Sequence, residues 1–436
     1  MVEAQQQPVT FRELVREFTA IGCLSFGGPA GQIALMQQRL IDEKRWIGQQ
    51  PFLRALNLCH LLPGPEAQQL ATWIGWRLHG WRGGLAAGLL FVIPGAAVML
   101  GLSLLYVLAA GLGWIAALFL GVKAAVLAIV VQALQRIAKR ALGTRFKLAL
   151  AFASFVALAV FRAPYPLVIV AAALIGAAVG SRRPEWLGAH GHASTAPPAG
   201  RRRRDLVLQT CGSVLLWTAI WFGPMAIIAA TLGTDHVLWR IGAFFSKLAV
   251  VTFGGAYAVL GYMAQAAVGQ LGWLSPREMV DGLGLAETTP GPLIMVTQFV
   301  GFLAGWRNPA PFSPMACGLI AAALTTWVTF APCFLWIFAC APWMERLERA
   351  ERLQAALAAI TAAVVGVVAQ LAVWFAVHVL FRDAAGSAFG LPVLASLDWR
   401  AALIAVLAAI LLFRLKRSVL VTLGAAALAG IVLSLA

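Results

Sequence analysis

Long apolar runs alternate with short polar or basic stretches along the whole chain. Each run is long enough to cross a hydrocarbon core of about 30 Å, which takes roughly 20 helical residues. In the first part of the chain such segments fall near residues 11 to 38, 52 to 79, 83 to 110, 114 to 138, 146 to 161 and 165 to 180, and their equivalents recur after residue 239. With one further run from Leu206 to Leu232, this predicts an all-α polytopic membrane protein of about 13 membrane segments. The segments do not look like the alternating ten-residue strands of an outer-membrane barrel. The opening "MVEAQQQPVTFRELVREF" lacks a short apolar core and a small-residue cleavage site, so no removable signal peptide is expected.

Two of these runs carry an interruption. "LLPGPEAQQLATWIGW" begins at Leu61 and "ETTPGPLIMVTQFVGF" at Glu287, and both place Pro-Gly-Pro inside apolar sequence. They belong to a larger internal repeat. "FTAIGCLSFGGPAGQIALM" from Phe18 aligns with "FSKLAVVTFGGAYAVLGYM" from Phe245 at an offset of 254 − 27 = 227. The same offset carries Met36 to Met263, Trp46 to Trp273, and Pro63, Gly64 and Pro65 to Pro290, Gly291 and Pro292. After an insertion around "WRNPAPFSP" the offset becomes 332 − 94 = 238, pairing Pro94 with Pro332 and Gln132 with Gln370. The chain is therefore read as two related halves, 11–180 and 239–436, joined by a basic linker, 181–205, and a linking transmembrane helix, 206–232.

The linking run has no partner in the first half. If each half crosses the membrane an even number of times, one extra crossing turns the second half over. Charge supports this: the cluster Arg136, Lys139, Arg140, Arg145 and Lys147 follows the fourth segment of the first half, whereas Arg346, Arg349 and Arg352 follow the third segment of the second. Equivalent loops thus have opposite charge bias, the pattern of an inverted-topology repeat with broken or re-entrant helices. The first two segments of each half could each be a re-entrant pair of half-helices.

The composition, 61% hydrophobic and 11% charged over 436 residues, excludes a soluble domain of any size. The formal charge of +16 comes from clusters between apolar spans, including Arg182, Arg183, Arg201 to Arg204, Arg414, Lys416 and Arg417, so it sets orientation and implies no nucleic-acid partner. These clusters, the linker and the N-terminus are placed in the cytoplasm. Six cysteines without CxxC spacing read as small buried residues, and His190 and His192 as linker residues, so neither a metal nor another cofactor is expected.

A proline lacks an amide hydrogen and fixes φ, so Pro63 and Pro65 end one helix and allow another to start. The new N-terminus exposes free amides and partial positive charge, which favours an anion. Gly27, Gly28, Pro29, Gly254 and Gly255 allow similar close approach of backbone or ligand. Four broken segments converging near mid-membrane would present amides to a small oxyanion. The alternative is that these residues only permit kinks and close packing. Lys247 lies two helical turns before Gly254 and adds positive charge, or snorkels to the interface; the same alternatives hold for Lys123. Glu66 caps the new helix or carries a coupling proton, and His60 and Glu287, equivalent across the repeat, are titratable candidates for the same role.

The stretches "SFGGPAGQIALM", "LPGPEAQQLATWIGWRLHGWRGGLAAGLLFVIPG", "VTFGGAYAVL", "TTPGPLIMVTQFVGF" and "GVKAAVLAIVVQAL" resemble the motifs of the chromate ion transporter family in its long, two-domain form. The resemblance covers nearly the whole chain outside the linker and tails. It implies a bacterial inner-membrane protein that exports chromate and confers resistance, with transport linked to the membrane potential or a proton gradient. It also implies substrate-binding positions at Gly27, Gly28, Pro29, Pro63, Gly64, Pro65, Glu66, Lys247, Gly254, Gly255, Pro290, Gly291 and Pro292. Two departures stand out: Ala20 occupies the position equivalent to Lys247, and Leu293 the position equivalent to Glu66. Amides see charge and shape, so sulfate or another tetrahedral oxyanion is an alternative substrate, and an anion channel an alternative mechanism. An enzyme is not indicated, since no catalytic or nucleotide-binding motif is present. A homodimer is compatible with the sequence.

Overall fold

The computed structural model describes residues 9–109, 113–187, 203–253, 256–348, 350–382 and 392–435, and these are helical with no strand. Most of the linker, with His190, His192, Arg201 and Arg202, lies outside the described residues, as do Gly254, Gly255 and Arg349. The first half contains α1 (Phe11–Leu24), α2 (Gly28–Gln37), α3 (Gln49–Leu61), α4 (Glu66–Ala109), α5 (Gly113–Ala141), α6 (Arg145–Ala159) and α7 (Tyr165–Gly180). The linking helix is α8 (Arg203–Leu232). The second half contains α9 (Val237–Val251), α10 (Ala256–Ala264), α11 (Pro276–Thr288), α12 (Val296–Arg307), α13 (Pro314–Cys340), α14 (Met344–Glu348), α15 (Glu351–Leu380), α16 (Trp399–Ala409) and α17 (Val419–Leu435).

The first two segments of each half are broken in the middle. α1 ends before Gly27, whose φ of +87° a right-handed helix does not accommodate, α2 starts afresh at Gly28 (φ +70°), and α3 ends before Pro63, Gly64 (φ +116°) and Pro65. Each arm runs for only 9 to 15 residues outside α4, about 14–23 Å at 1.5 Å per residue, too short to cross a membrane alone. In the second half the arms turn back. Arg307 at the end of α12 pairs with Glu278 in the first turn of α11, and its Nη1 donates to Trp273 O at 2.8 Å. His236, before α9, contacts Ala310 O at 2.7 Å. Chain entering α9 and α11 therefore sits beside chain leaving α10 and α12. In the first half Glu17 of α1 pairs with Arg39 at 3.0 Å and Lys44 at 3.2 Å beyond α2, and Phe11 packs edge-on against His79.

A second fold-back divides α4 itself. His79 and Gly80 leave helical geometry, and the two arms approach so closely that a Cβ on Gly75 would lie 2.2 Å from Gly83 O. In the second half the corresponding turn separates α12 from α13, where a Cβ on Gly301 would lie 2.0 Å from Thr325 Oγ1.

The halves interlock instead of standing side by side. α5 packs against α16 and α17, while α15 packs against α6 and α7. Small residues make these crossings tight: a Cβ on Gly121 would lie 2.0 Å from Ala426 O, and one on Gly366 would lie 2.0 Å from Ala151 O. Such stripes let helix backbones meet in lipid, where burial of apolar surface gives little drive. Among the described residues, five helices are long and apolar enough to cross a membrane, namely Glu66–Ala109, Ala117–Ala141, Leu206–Leu232, Pro314–Trp343 and Glu351–Leu380. In α8 only 11% of the apolar window is buried, so this helix lies at the periphery with Leu215 and Ile227 turned outward.

The cysteine expectation holds only in part. Cys59, Cys317 and Cys333 are buried, but Cys23 and Cys211 are exposed on apolar helices, because a residue facing lipid need not be inside the protein.

Substituting Gly121 by Leu should disrupt the α5–α17 crossing, with a cost of about 1–3 kcal/mol or more for overpacking. The same change at Gly424, where a Cβ meets nothing within 4 Å, should be nearly neutral. Thermal unfolding of the detergent-solubilised protein checks both.

Candidate functional site

Pro-Gly-Pro and Gly-Gly breaks from opposite halves meet at the centre of the molecule. The amide of Gly64 donates to Thr252 O at 2.8 Å, and the amide of its repeat equivalent Gly291 donates to Ser25 O, the equivalent of Thr252, also at 2.8 Å. Contacts behind these bonds are reciprocal too. Gly64 lies against Cys333, the residue after Pro332, and Gly291 lies against Gly95, the residue after Pro94. Gln69 Nε2 donates to Pro63 O at 2.6 Å, and Gln32 Nε2 to Gly291 O at 2.5 Å. Pro63, Gly64, Pro65, Pro290, Gly291 and Pro292 are all buried. The glycine amides expected to face an anion are thus spent on holding the halves together.

Beside this knot lies a cavity of about 550 Å³, within the usual range of ligand pockets of about 300–1,000 Å³. It brings together Gly27, Gly28 and Pro29 at the start of α2, His60 near the end of α3, Glu66 at the start of α4 and Glu287 near the end of α11. Ala256 and Tyr257, at the start of α10, close the other side. Helix N-termini from both halves therefore border one space, and Gly27 leaves the start of α2 without a side-chain cap. Lys247 is not part of it; its side chain is exposed on the outer face of α9, where Phe245 and Leu248 take the inner positions. Gly254 and Gly255 lie outside the described residues.

Three polar groups of the site were not among the sequence candidates. Gln132, Arg136 and Arg140 line the cavity from the last turns of α5. Arg136 is held by a hydrogen bond to Gln132 Oε1, one helical turn earlier. In the sequence Arg136 counted only as part of a basic cluster that sets orientation; the repeat match of Gln132 with Gln370 was the signal that this turn has another use. Tyr257 was missed as well, and its hydroxyl donates to Glu287 Oε1 at 2.8 Å. His60 Nδ1 stands 3.8 Å from Glu66 Oε1. The cavity thus grades from guanidinium groups on α5 to two buried carboxylates, Glu66 and Glu287, beside the breaks.

Lys123 does not snorkel. Its ammonium sits 2.8 Å from Asp281 Oδ1, and Tyr106 donates to Asp281 Oδ2 at 2.9 Å.

Interlocked helices, broken segments meeting at the centre and a polar cavity bordered by both halves define a polytopic membrane transporter architecture. The family model described as Chromate transporter matches residues 12–177 and 239–431, and the chain belongs to that family. It is 34% identical to the chromate transport protein of Pseudomonas aeruginosa over 315 residues, 70% of this chain and 69% of that protein. It is 28% identical to the chromate transport protein of Cupriavidus metallidurans, covering 77% of this chain and 75% of that one. A probable chromate transport protein of Synechococcus elongatus is 26% identical over 77% of both chains. No solved structure matches significantly.

Replacing Gly64 by Leu should leave membrane insertion intact but abolish transport. The left-handed φ disfavours a side chain, and even a Cβ would lie 2.9 Å from both Cys333 Sγ and Gln69 Nε2. Membrane fractionation and a chromate flux assay on the same membranes separate the two effects; full flux in the inserted variant would count against the knot.

Proposed function

We propose that this protein is a secondary active exporter of chromate in a bacterial inner membrane, conferring chromate resistance. The observation that carries the reading is the cavity itself. It places guanidinium groups and the N-termini of α2 and α10 around one space at the junction of two halves. Arg136 and Arg140 draw the dianion in, and the first-turn amides of α2 receive it.

Reciprocal bonds between equivalent residues support a two-fold relation of the halves, as an inverted repeat requires. The meeting of chain ends in α9–α12 supports reading the first two segments of each half as re-entrant pairs. Both segments then behave alike, so each half keeps an even number of crossings. On this reading the chain crosses the membrane nine times instead of 13, with four re-entrant pairs. By the positive-inside rule the basic end of α5, and with it the cavity mouth, the linker and the N-terminus, is read as cytoplasmic.

Moving a dianion outward across an inside-negative membrane is favoured by about 2.3 kcal/mol per charge for each 100 mV. The potential alone therefore drives export. Glu66 and Glu287 border the same space as candidates for a coupling proton, and fewer than two protons carried with each dianion leave a net negative charge for the potential to move. Retention of the anion should weaken as pH rises and the coupling proton is lost. Backbone donors and guanidinium groups do not distinguish chromate from sulfate by shape, so sulfate competes.

Inverted vesicles loaded by this protein should accumulate labelled chromate, and collapse of the potential by an ionophore should abolish accumulation; flux that never exceeds equilibration would instead indicate a channel. Arg136→Gln should raise the half-saturating chromate concentration about tenfold, and Glu66→Gln should flatten the pH dependence of uptake. Unchanged pH dependence would remove Glu66 from proton handling.

A further inference from the structure

The cavity ends abruptly along two helices. On α5 its deepest lining residue is Ile129, and on α11 it is Glu287. Beyond that level the helices close on each other, with Gly284 so tight that a Cβ there would lie 2.7 Å from Val122 Cγ1 and 3.8 Å from Val126 Cγ2. The next layer is the ion pair of Lys123 with Asp281, six residues from Glu287, or about 9 Å along the helix. Lys123 belongs to the first half and Asp281 to the second, and their side chains are only 19% and 7% exposed. Tyr106 of α4 completes the layer, packed edge-on against Phe119 and Phe299.

Few other charges reach this layer. Glu278 stands one turn earlier on α11 and is already paired with Arg307, the lone charged residue of α12. α15, which also packs on α11, carries no ionisable residue between Arg352 and His378, and α17 carries none at all. Among the described residues, a dianion leaving Arg136 for the far side therefore has one cation ahead of it within the barrier, and that cation is occupied by a carboxylate.

Building on the transporter reading, we propose that Lys123 is a second contact point for the transported oxyanion, held by Asp281 until the dianion takes the place of that carboxylate. Exchange of one anionic partner for another keeps the buried ammonium paired throughout, whereas opening without substrate would leave two buried charges unpaired. The pair closes the path when no anion is present, and Tyr106 keeps Asp281 hydrogen-bonded when Lys123 leaves it.

Neutralising the two partners should have opposite effects. Asp281→Asn frees Lys123 and should lower the half-saturating concentration of labelled chromate severalfold. Lys123→Met combined with Asp281→Asn leaves no buried charge and should cut flux at least tenfold, while equilibrium binding of chromate to the purified protein stays within twofold. Wild-type kinetics in both variants would overturn the proposal, and so would loss of binding together with flux in the double variant. Failure of the wild-type protein to move chromate in the same vesicles would instead sink the transporter reading on which the proposal rests.

Discussion

A backbone amide that cannot find water must find a carbonyl, and the architecture of this protein turns on where two such amides go. Pro-Gly-Pro breaks a helix inside the membrane and leaves donors that hydrocarbon cannot satisfy. Gly64 and Gly291 each resolve this by donating to the opposite half, at the carbonyls of Thr252 and Ser25. Neither break is stable without the other half in place. The same logic extends to side chains at the knot: Ser25 Oγ and Thr252 Oγ1 each donate at 2.6 Å to the carbonyl four residues earlier, at Ile21 and Leu248. A local defect in one helix thus becomes the tie between two repeats.

Because the knot uses up the glycine amides, the cavity has to be furnished by others. Division of labour follows: Pro-Gly-Pro joins the halves, while the Gly-Gly-Pro break opens the start of α2 into the polar space. Cations come from α5, a helix with no break at all. The cavity combines a first-half wall of α2, α3 and α5 with second-half residues Tyr257 and Glu287, so motion of one half against the other changes the site directly. Long reciprocal packing of α5 on α16 and α17, and of α15 on α6 and α7, holds the halves together around the central contacts.

Charge is rationed in this molecule, which is why each buried ionisable group has a readable setting. Glu66 and Glu287 flank the breaks, Asp281 is held by Lys123 and Tyr106, and Glu17 is held by Arg39 and Lys44. Ion pairs near the chain ends of the broken segments tie their arms together. The pair in the centre joins the two halves instead, and it sits where the cavity closes.

The sequence by itself determined the class, the repeat and the breaks, since apolar length, a constant offset and the backbone chemistry of proline and glycine are local properties. Gly27, Gly28, His60, Glu66 and Glu287, which line the cavity, were legible as candidates because they stand at or beside those breaks. Only the tertiary structure decided which amides remain free, since hydrogen-bond partners such as Ser25 and Thr252 lie 266 and 188 positions from Gly291 and Gly64. Arg136 looked like one basic residue among several because charge in a sequence carries no direction; the packing of α5 turns it toward the cavity. Lys123 could equally have reached for the membrane surface, and what settled its place was a carboxylate from the other half, brought within 2.8 Å by the crossing of two helices.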